Sequence, residues 1–419
     1  MSTVALILAD FHLAPQVPGR TVALPALPAL GRLLARATRT PLPGGWRPWL
    51  VRQLCAAQPA LQPAAVLDWV RLAAAAPAAV VAAARAGQPP GRYYWFATPA
   101  HYFAGIQSVN LHPNGLLTLA PAAQAALAES FRTVFDGSGL ELIPTGRRDL
   151  LLAGDAAAAG SDGVSTGDPA RWLGRDPSPG LPSGPGAARL RRLGSEIELW
   201  LHEHPVNRER AARGELPVTA LWLWGGGIAA RPVNPSAQRL PVPASAVVVR
   251  AQDVFSEAVA QLCGVCWRQL PGAQAAAEPG TATDPAAAVA KPSVLRDLDA
   301  AEAKPGVVRD SGAVAKPDVA AAQPDTIAAE PDVTAADVLQ TIAILPTATG
   351  DPLAALQGVD ADWVAPALAR LKGAELNELQ LLVAEQCYRL TRPRLWRAWR
   401  RDALWWEALA TLDAEEDRT

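Results

Sequence analysis

The stretch Arg189–Gly227, RLRRLGSEIELWLHEHPVNRERAARGELPVTALWLWGGG, concentrates histidine, carboxylate, arginine and tryptophan and ends in three glycines. Its reading decides the fold class, because a helix, a proline corner, a short polar helix and a buried strand in succession are the units of an α/β protein. Leu190, Leu193, Ile197, Trp200, Leu201 and His204 fall within roughly 100° of one another on a helical wheel, with Glu196, Glu198 and His202 off that stripe. Pro205 disfavours helical geometry at His204 and ends the helix there. His202 and His204 suggest a metal, but residues two apart on a helix diverge by about 200° and cannot chelate one ion together. An unwound last turn would bring both onto one metal. The alternative pairs His202 with Glu198 one turn back and leaves His204 packed and hydrogen-bonded.

Asn207 suits a helix N-cap and Gly214 the stop of a short helix. Arg208, Arg210 and Arg213 crowd that helix, where they either grip a phosphate or carboxylate in bidentate fashion or stay solvated. Val218–Trp224 reads as a buried strand. Gly225, Gly226 and Gly227 then permit a sharp turn or a close approach of ligand to backbone, the plain reading being a strand-to-loop turn. No G-K-[ST] follows, and Arg231-Pro232 interrupts any phosphate-binding helix, so this is neither a Walker nor a Rossmann loop.

The 419 residues leave room for two domains. A net charge of −2 gives no reason to expect nucleic acid or an anionic membrane as partner. Four cysteines (Cys55, Cys263, Cys266, Cys387) are too few for a disulfide framework and favour a reducing cytoplasm. The N-terminus lacks a signal-type pattern, and no apolar run reaches the about 20 residues of a membrane span.

Val4–Ala9 reads as a buried first strand that closes on Asp10, at the strand edge where open α/β sheets place their sites. Helices are expected over Pro25–Thr38, Gly44–Cys55, Pro63–Arg85 (broken at Pro77) and Leu119–Phe135. Tyr93–Phe96 and Ile106–Leu111 are β-prone, and Leu140–Ile143 pairs with Asp149–Leu152 as a hairpin. Asp155–Gly186 reads as a long loop, Ala246–Arg250 as a strand and Asp253–Trp267 as a helix. Cys263 and Cys266 form a C-x-x-C with no second pair or histidine nearby, so they read as core thiols. Gln274–Thr334 has no aromatic residue and recurring AKP and PD elements, the composition of a disordered insert. Val338–Leu345, Pro352–Lys372 and Leu379–Val383 follow as strand, helix and strand. The interleaved Arg394, Trp396, Arg397, Trp399, Arg400, Arg401, Trp405 and Trp406 read as a terminal helix that docks its tryptophans and turns its arginines outward.

ALILADFHL at residue 5, PALPALGRLLARA at 25, WFATPAHYFAGIQSVNLHP at 95, the central EIELWLHEHPVNRERAARGELPVTALWLWGGG and the closing WRAWRR together resemble the RpfE-type regulatory proteins of proteobacteria. The resemblance covers the chain except the insert, and its central signature is the specific part. That family in turn resembles cofactor-independent phosphoglycerate mutases of the alkaline-phosphatase superfamily. The resemblance implies an α/β three-layer sandwich with a mostly parallel sheet and an inserted α/β module. It divides the chain into a core (1–90, 215–272 and 335–410), a module (91–214) and the insert (273–334). Asp10 would match the superfamily's first metal-binding aspartate, with His12 beside it.

The chain departs from that superfamily in its ligands. Every histidine (His12, His101, His112, His202, His204) precedes residue 205, no D-x-x-x-H or H-x-x-H cluster occurs, and Thr219 stands where Asn is usual. Phosphoryl transfer needs positioned charge around its transition state. One reading is therefore a degenerate regulatory relative that needs no cofactor and binds a small anionic or phosphorylated ligand through His101, His202, His204, Asn207, Arg208 and Arg210. A second is an active mutase or phosphohydrolase using Mn²⁺ or Zn²⁺ on Asp10, His12, His101, His202 and His204. A third is an interaction module whose insert recruits a protein partner.

Overall fold

The first strand lies in the middle of a sheet, between two strands from the last fifth of the chain. The structure, a computed structural model, describes residues 2–9, 11, 24–56, 63–85, 88–105, 108–155, 163–229, 247–270, 340–345, 352–395 and 404–410. Asp10, His12, Arg231-Pro232, the 273–334 insert and the arginines and tryptophans from 396 to 401 lie outside these residues. In chain order the elements are β1 (Thr3–Leu8), α1 (Pro28–Arg36), β2 (Thr38–Pro41), α2 (Trp46–Ala56), α3 (Pro63–Ala75) and α4 (Pro77–Ala84). Next come β3 (Tyr93–Ala104), β4 (Val109–Leu116), α5 (Pro121–Val134), β5 (Leu140–Ile143), β6 (Leu150–Gly154), α6 (Ala187–His202), α7 (Pro205–Ala212) and β7 (Ala220–Ile228). The remainder is β8 (Val247–Ala251), α8 (Val254–Cys263), β9 (Cys266–Gln269), β10 (Gln340–Leu345), α9 (Pro352–Val359), α10 (Ala365–Lys372), β11 (Glu378–Val383), β12 (Gln386–Thr391), α11 (Arg392–Leu395) and α12 (Trp405–Ala410).

The fold is α/β with a mostly parallel sheet. Seven strands run β2-β12-β11-β1-β10-β8-β9, of which β11, β1, β10, β8 and β9 are parallel and the β12 and β2 edge is antiparallel. Side chains alternate between the two faces of a strand. On β1, Val4, Leu6 and Leu8 meet α1, α9, α10 and α12 on one face, while Ala5 and Ile7 meet α2, α4 and α8 on the other. That two-sided burial makes β1 a continuous apolar run rather than an alternating one. A second, antiparallel sheet runs β4-β3-β6-β5, with β7 also paired to β3. Residues 220–228 thus share a sheet with strands from 93–154.

The helices between the two sheets bury apolar side chains against both, so Ile7 of the first sheet and Tyr94, Phe96, Trp222 and Trp224 of the second belong to one core. The outer face of the second sheet, with Trp95, Leu152, Leu221 and Leu223, is covered by Phe131 of α5 and by Leu190, Ile197 and Leu201 of α6.

Two helix ends are set by identifiable groups. No side chain at its own N-cap satisfies the first N–H groups of α1. The Asp360 carboxylate does so instead, accepting from Leu30 N at 2.5 Å and Ala29 N at 3.4 Å. Asp360 opens a π-helical turn, residues 360–364, between α9 and α10. α8 starts at an Asp253 cap, whose carboxylate accepts from Ser256 N at 2.8 Å, and stops at Gly264 in the left-handed conformation (φ 63°). The expectation of one helix from Asp253 to Trp267 is corrected there. Gly264 turns the chain, and Cys266 and Trp267 join β9 beside β8.

Candidate functional site

The signature side chains converge on the main chain of residues 216–219, where α7 leads into β7. Asn207 donates from Nδ2 to the carbonyls of Leu201 and Val218, both at 2.8 Å, and its Oδ1 accepts from Val218 N at 2.7 Å. Arg210 donates from Nε to the Leu216 carbonyl at 2.7 Å and pairs through Nη1 with Glu215 at 3.0 Å. From β3, His101 Nδ1 lies 2.9 Å from the Pro217 carbonyl. Thr219 Oγ1 accepts from Tyr102 N at 2.6 Å and donates to the Ala100 carbonyl at 3.3 Å. Three consecutive residues are each held by a different side chain, and the fourth, Thr219, ties them to β3.

A carbonyl only accepts, so His101 carries its hydrogen on Nδ1 and, when neutral, presents the Nε2 lone pair outward from that bond. Its neighbour His112 stands edge-on at 5.6 Å between ring centroids, and the Phe103 ring lies 5.7 Å from His112. His112 Nδ1 accepts from Asn114 N at 3.1 Å, and burial, followed by the nearby His101, lowers its pKa.

His204, not Asn207, is the N-cap of α7: its Nδ1 accepts from Val206 N at 3.2 Å, and Pro205 occupies the first helical turn. Asn207 lies within the helix and reaches back across it. The His204 ring is buried edge-on against Trp200 at 5.2 Å, and burial, then Arg208, lowers its pKa against the pull of Glu209. His202 and Arg208 are exposed. Arg213 pairs with Glu215 at 2.7 Å, so of the three arginines two share one carboxylate. The structure therefore brings His101, Asn207 and Arg210 together around one strand entrance and sets His204 behind them. Gly214 ends α7 in the left-handed conformation (φ 71°), as its sequence position suggests. Among the described residues no group of three or more His, Cys, Asp or Glu is placed to hold a metal ion. No helix among them is long and apolar enough to cross a membrane.

The three glycines lie inside β7 rather than in a loop after it. A Cβ at Gly226 would penetrate the Trp95 ring, one at Gly227 would penetrate Ala76, and one at Gly225 (φ 61°) would sit 2.8 Å from Pro77 Cγ. Their smallness admits Trp95 on one face and the α3–α4 corner on the other, and the β3–β7 register shifts beside them as a bulge.

Sequence reasoning missed a buried polar chain on the inner face of the same sheet. Trp224 Nε1 donates to Thr98 Oγ1 at 2.8 Å, and Thr98 Oγ1 donates to Asp149 at 2.6 Å. The Trp224 ring in turn carries the Arg47 guanidinium at 4.7 Å, which also lies 4.8 Å from the Trp46 ring and pairs with Asp168 at 2.9 Å. The only signal in sequence is a threonine inside the otherwise apolar WFATPA.

No family model matches the chain. A segment of 51 residues, 12% of this chain, is 45% identical to a probable 2,3-bisphosphoglycerate-independent phosphoglycerate mutase of Geobacter sulfurreducens. The match spans 13% of that relative's length. Among solved structures, a cofactor-independent phosphoglycerate mutase from Thermoplasma acidophilum aligns over 93% of this chain and 89% of its own, at 13% identity and a TM-score of 0.32. The PH0037 protein of Pyrococcus horikoshii aligns over 65% and 62% at 14% identity and a TM-score of 0.29.

Proposed function

We propose that this chain is an RpfE-type regulatory binding protein on a phosphoglycerate-mutase-like scaffold of the alkaline-phosphatase kind, taking a small phosphorylated or carboxylate-bearing ligand without a metal in the cytoplasm. One observation carries the reading: Arg210, His101 and Asn207 bind main-chain groups of residues 216, 217 and 218, and the Thr219 side chain binds main-chain groups of Ala100 and Tyr102 on β3. The signature thereby builds a fixed corner, and Arg208 and His202 are the exposed signature groups there that suit an anion.

The second reading, an active mutase or phosphohydrolase with Mn²⁺ or Zn²⁺, is favoured by the 51-residue segment that is 45% identical to a probable mutase and by the outward Nε2 of His101. Elemental analysis of untagged protein, phosphoglycerate and generic phosphatase assays, and calorimetric titration with 3-phosphoglycerate after chelation separate the two. The regulatory reading expects no stoichiometric metal, no turnover, and saturable binding weakened about tenfold by Arg208→Glu, which corresponds to about 1.4 kcal/mol. Stoichiometric metal with turnover that His101→Ala abolishes would replace it with the enzyme.

A further inference from the structure

The C-x-x-C spacing draws attention to Cys263 and Cys266, but the fold parts them. Cys263 ends α8 inside the central core, Gly264 turns the chain, and Cys266 starts β9 half-buried. The sulfur that faces Cys263 belongs to Cys55 of α2, 208 residues earlier, with Sγ to Sγ at 3.8 Å and both side chains buried. This contact lies in the helical layer between the two sheets, where α2 packs on α8.

We propose that Cys55 and Cys263 form a reversible disulfide on exposure to hydrogen peroxide, welding α2 to α8. A disulfide needs sulfurs at about 2.05 Å, and sulfurs 3.8 Å apart are already in van der Waals contact with no atom between them to displace. The pair is polarised for the chemistry. The hydrogen bond from Cys263 lowers the Cys55 pKa against burial, while the same bond, burial and the Cys55 charge raise that of Cys263. With Cys55 as the nucleophile, Cys263 is the resolving thiol. The Cys55 thiolate attacks one peroxide oxygen, breaking the O–O bond and giving Cys55 sulfenic acid and hydroxide. The Cys263 sulfur then attacks the sulfenic sulfur. The S–S bond forms as the S–O bond breaks, the departing hydroxyl takes the Cys263 proton to leave as water, and the hydroxide of the first step takes up the proton that Cys55 lost on ionising. In sum, two thiols and one peroxide give one disulfide and two waters.

The test is peroxide treatment of the full chain, thiol alkylation under denaturing non-reducing conditions, and peptide mapping by mass spectrometry. The expected product is a Cys55–Cys263 cross-linked peptide. Circular dichroism should stay native, and Tm should rise and return on adding dithiothreitol. Cys266→Ser should leave the cross-link intact, and Cys55→Ala should abolish it while leaving Cys263 alkylatable. If Cys55 and Cys263 remain alkylatable after peroxide, or if Cys263 links to Cys266 instead, the proposal fails. Because the first readout uses the unaltered chain, a variant that misfolds does not decide the matter.

Discussion

The two sheets are built on different physics. The seven-stranded sheet is held by an apolar pattern: β1, β10 and β11 are buried on both faces, and their register follows from parallel backbone pairing. The five-stranded sheet depends on individual groups. Its β7 starts where three side chains hold residues 216–218 and crosses glycines that leave room for Trp95, and its inner face carries the Trp224–Thr98–Asp149 chain. A pattern tolerates single changes of similar shape. A set of specific contacts does not, because each removed partner leaves a buried polar group unpaired or a ring without space.

The comparison breaks first at Gly226. Gly226→Leu is expected to cost about 3 kcal/mol or more through overpacking on Trp95. Urea titration would give that loss, and hydrogen exchange should show it concentrated in β3 and β7 while β1 stays protected. Asn207→Ala should cost about 2–4 kcal/mol, since it removes the side-chain partner of both the Val218 N–H and the Val218 carbonyl. If Asn207→Ala unfolds at the parent's urea midpoint, the joint at 216–219 does not hold the sheet.

A smaller effect sharpens the contrast through pH. His204 has a folded pKa below its unfolded one, so the unfolded chain binds the proton more readily. Stability contributed by the neutral cap is therefore present above about pH 6.5 and declines as pH falls through that value. His204→Asn, which keeps an acceptor at the cap, should flatten this part of the stability–pH curve, read by thermal melts between pH 5 and 8. In the first sheet, Ile7→Val should cost only about 1 kcal/mol, the ordinary loss of one buried methyl group. Least of all, Glu196→Ala removes an exposed pair with Arg192 and should change stability by under about 0.5 kcal/mol.

Where periodicity governs, the sequence was readable. The apolar character and length of Val4–Ala9, Val338–Leu345 and Leu379–Val383 place β1, β10 and β11 to within two residues, and the Thr145-Gly146 turn marks the β5–β6 pair. Long-range partners were not readable. Nothing local says that Asn207 reaches Val218 or that Asp360 caps α1 from 330 positions away. The glycine run misled because smallness serves two purposes, a turn and a close approach, and only the opposing Trp95 and Ala76 decide between them. Likewise, arginines on a short helix read alike whether they await an anion or, like Arg210, hold their own chain.

The central position of β1 also has a consequence for the order of events at the ribosome. Thr3 pairs with Gln340 on one side and Glu378 on the other. At about 5–20 residues per second, roughly twenty seconds to a minute pass between synthesis of β1 and synthesis of its first neighbour. The antiparallel sheet, whose strands fall between residues 93 and 228, is complete long before then. The nascent chain thus carries VALIL without its sheet partners until β10 and β11 emerge.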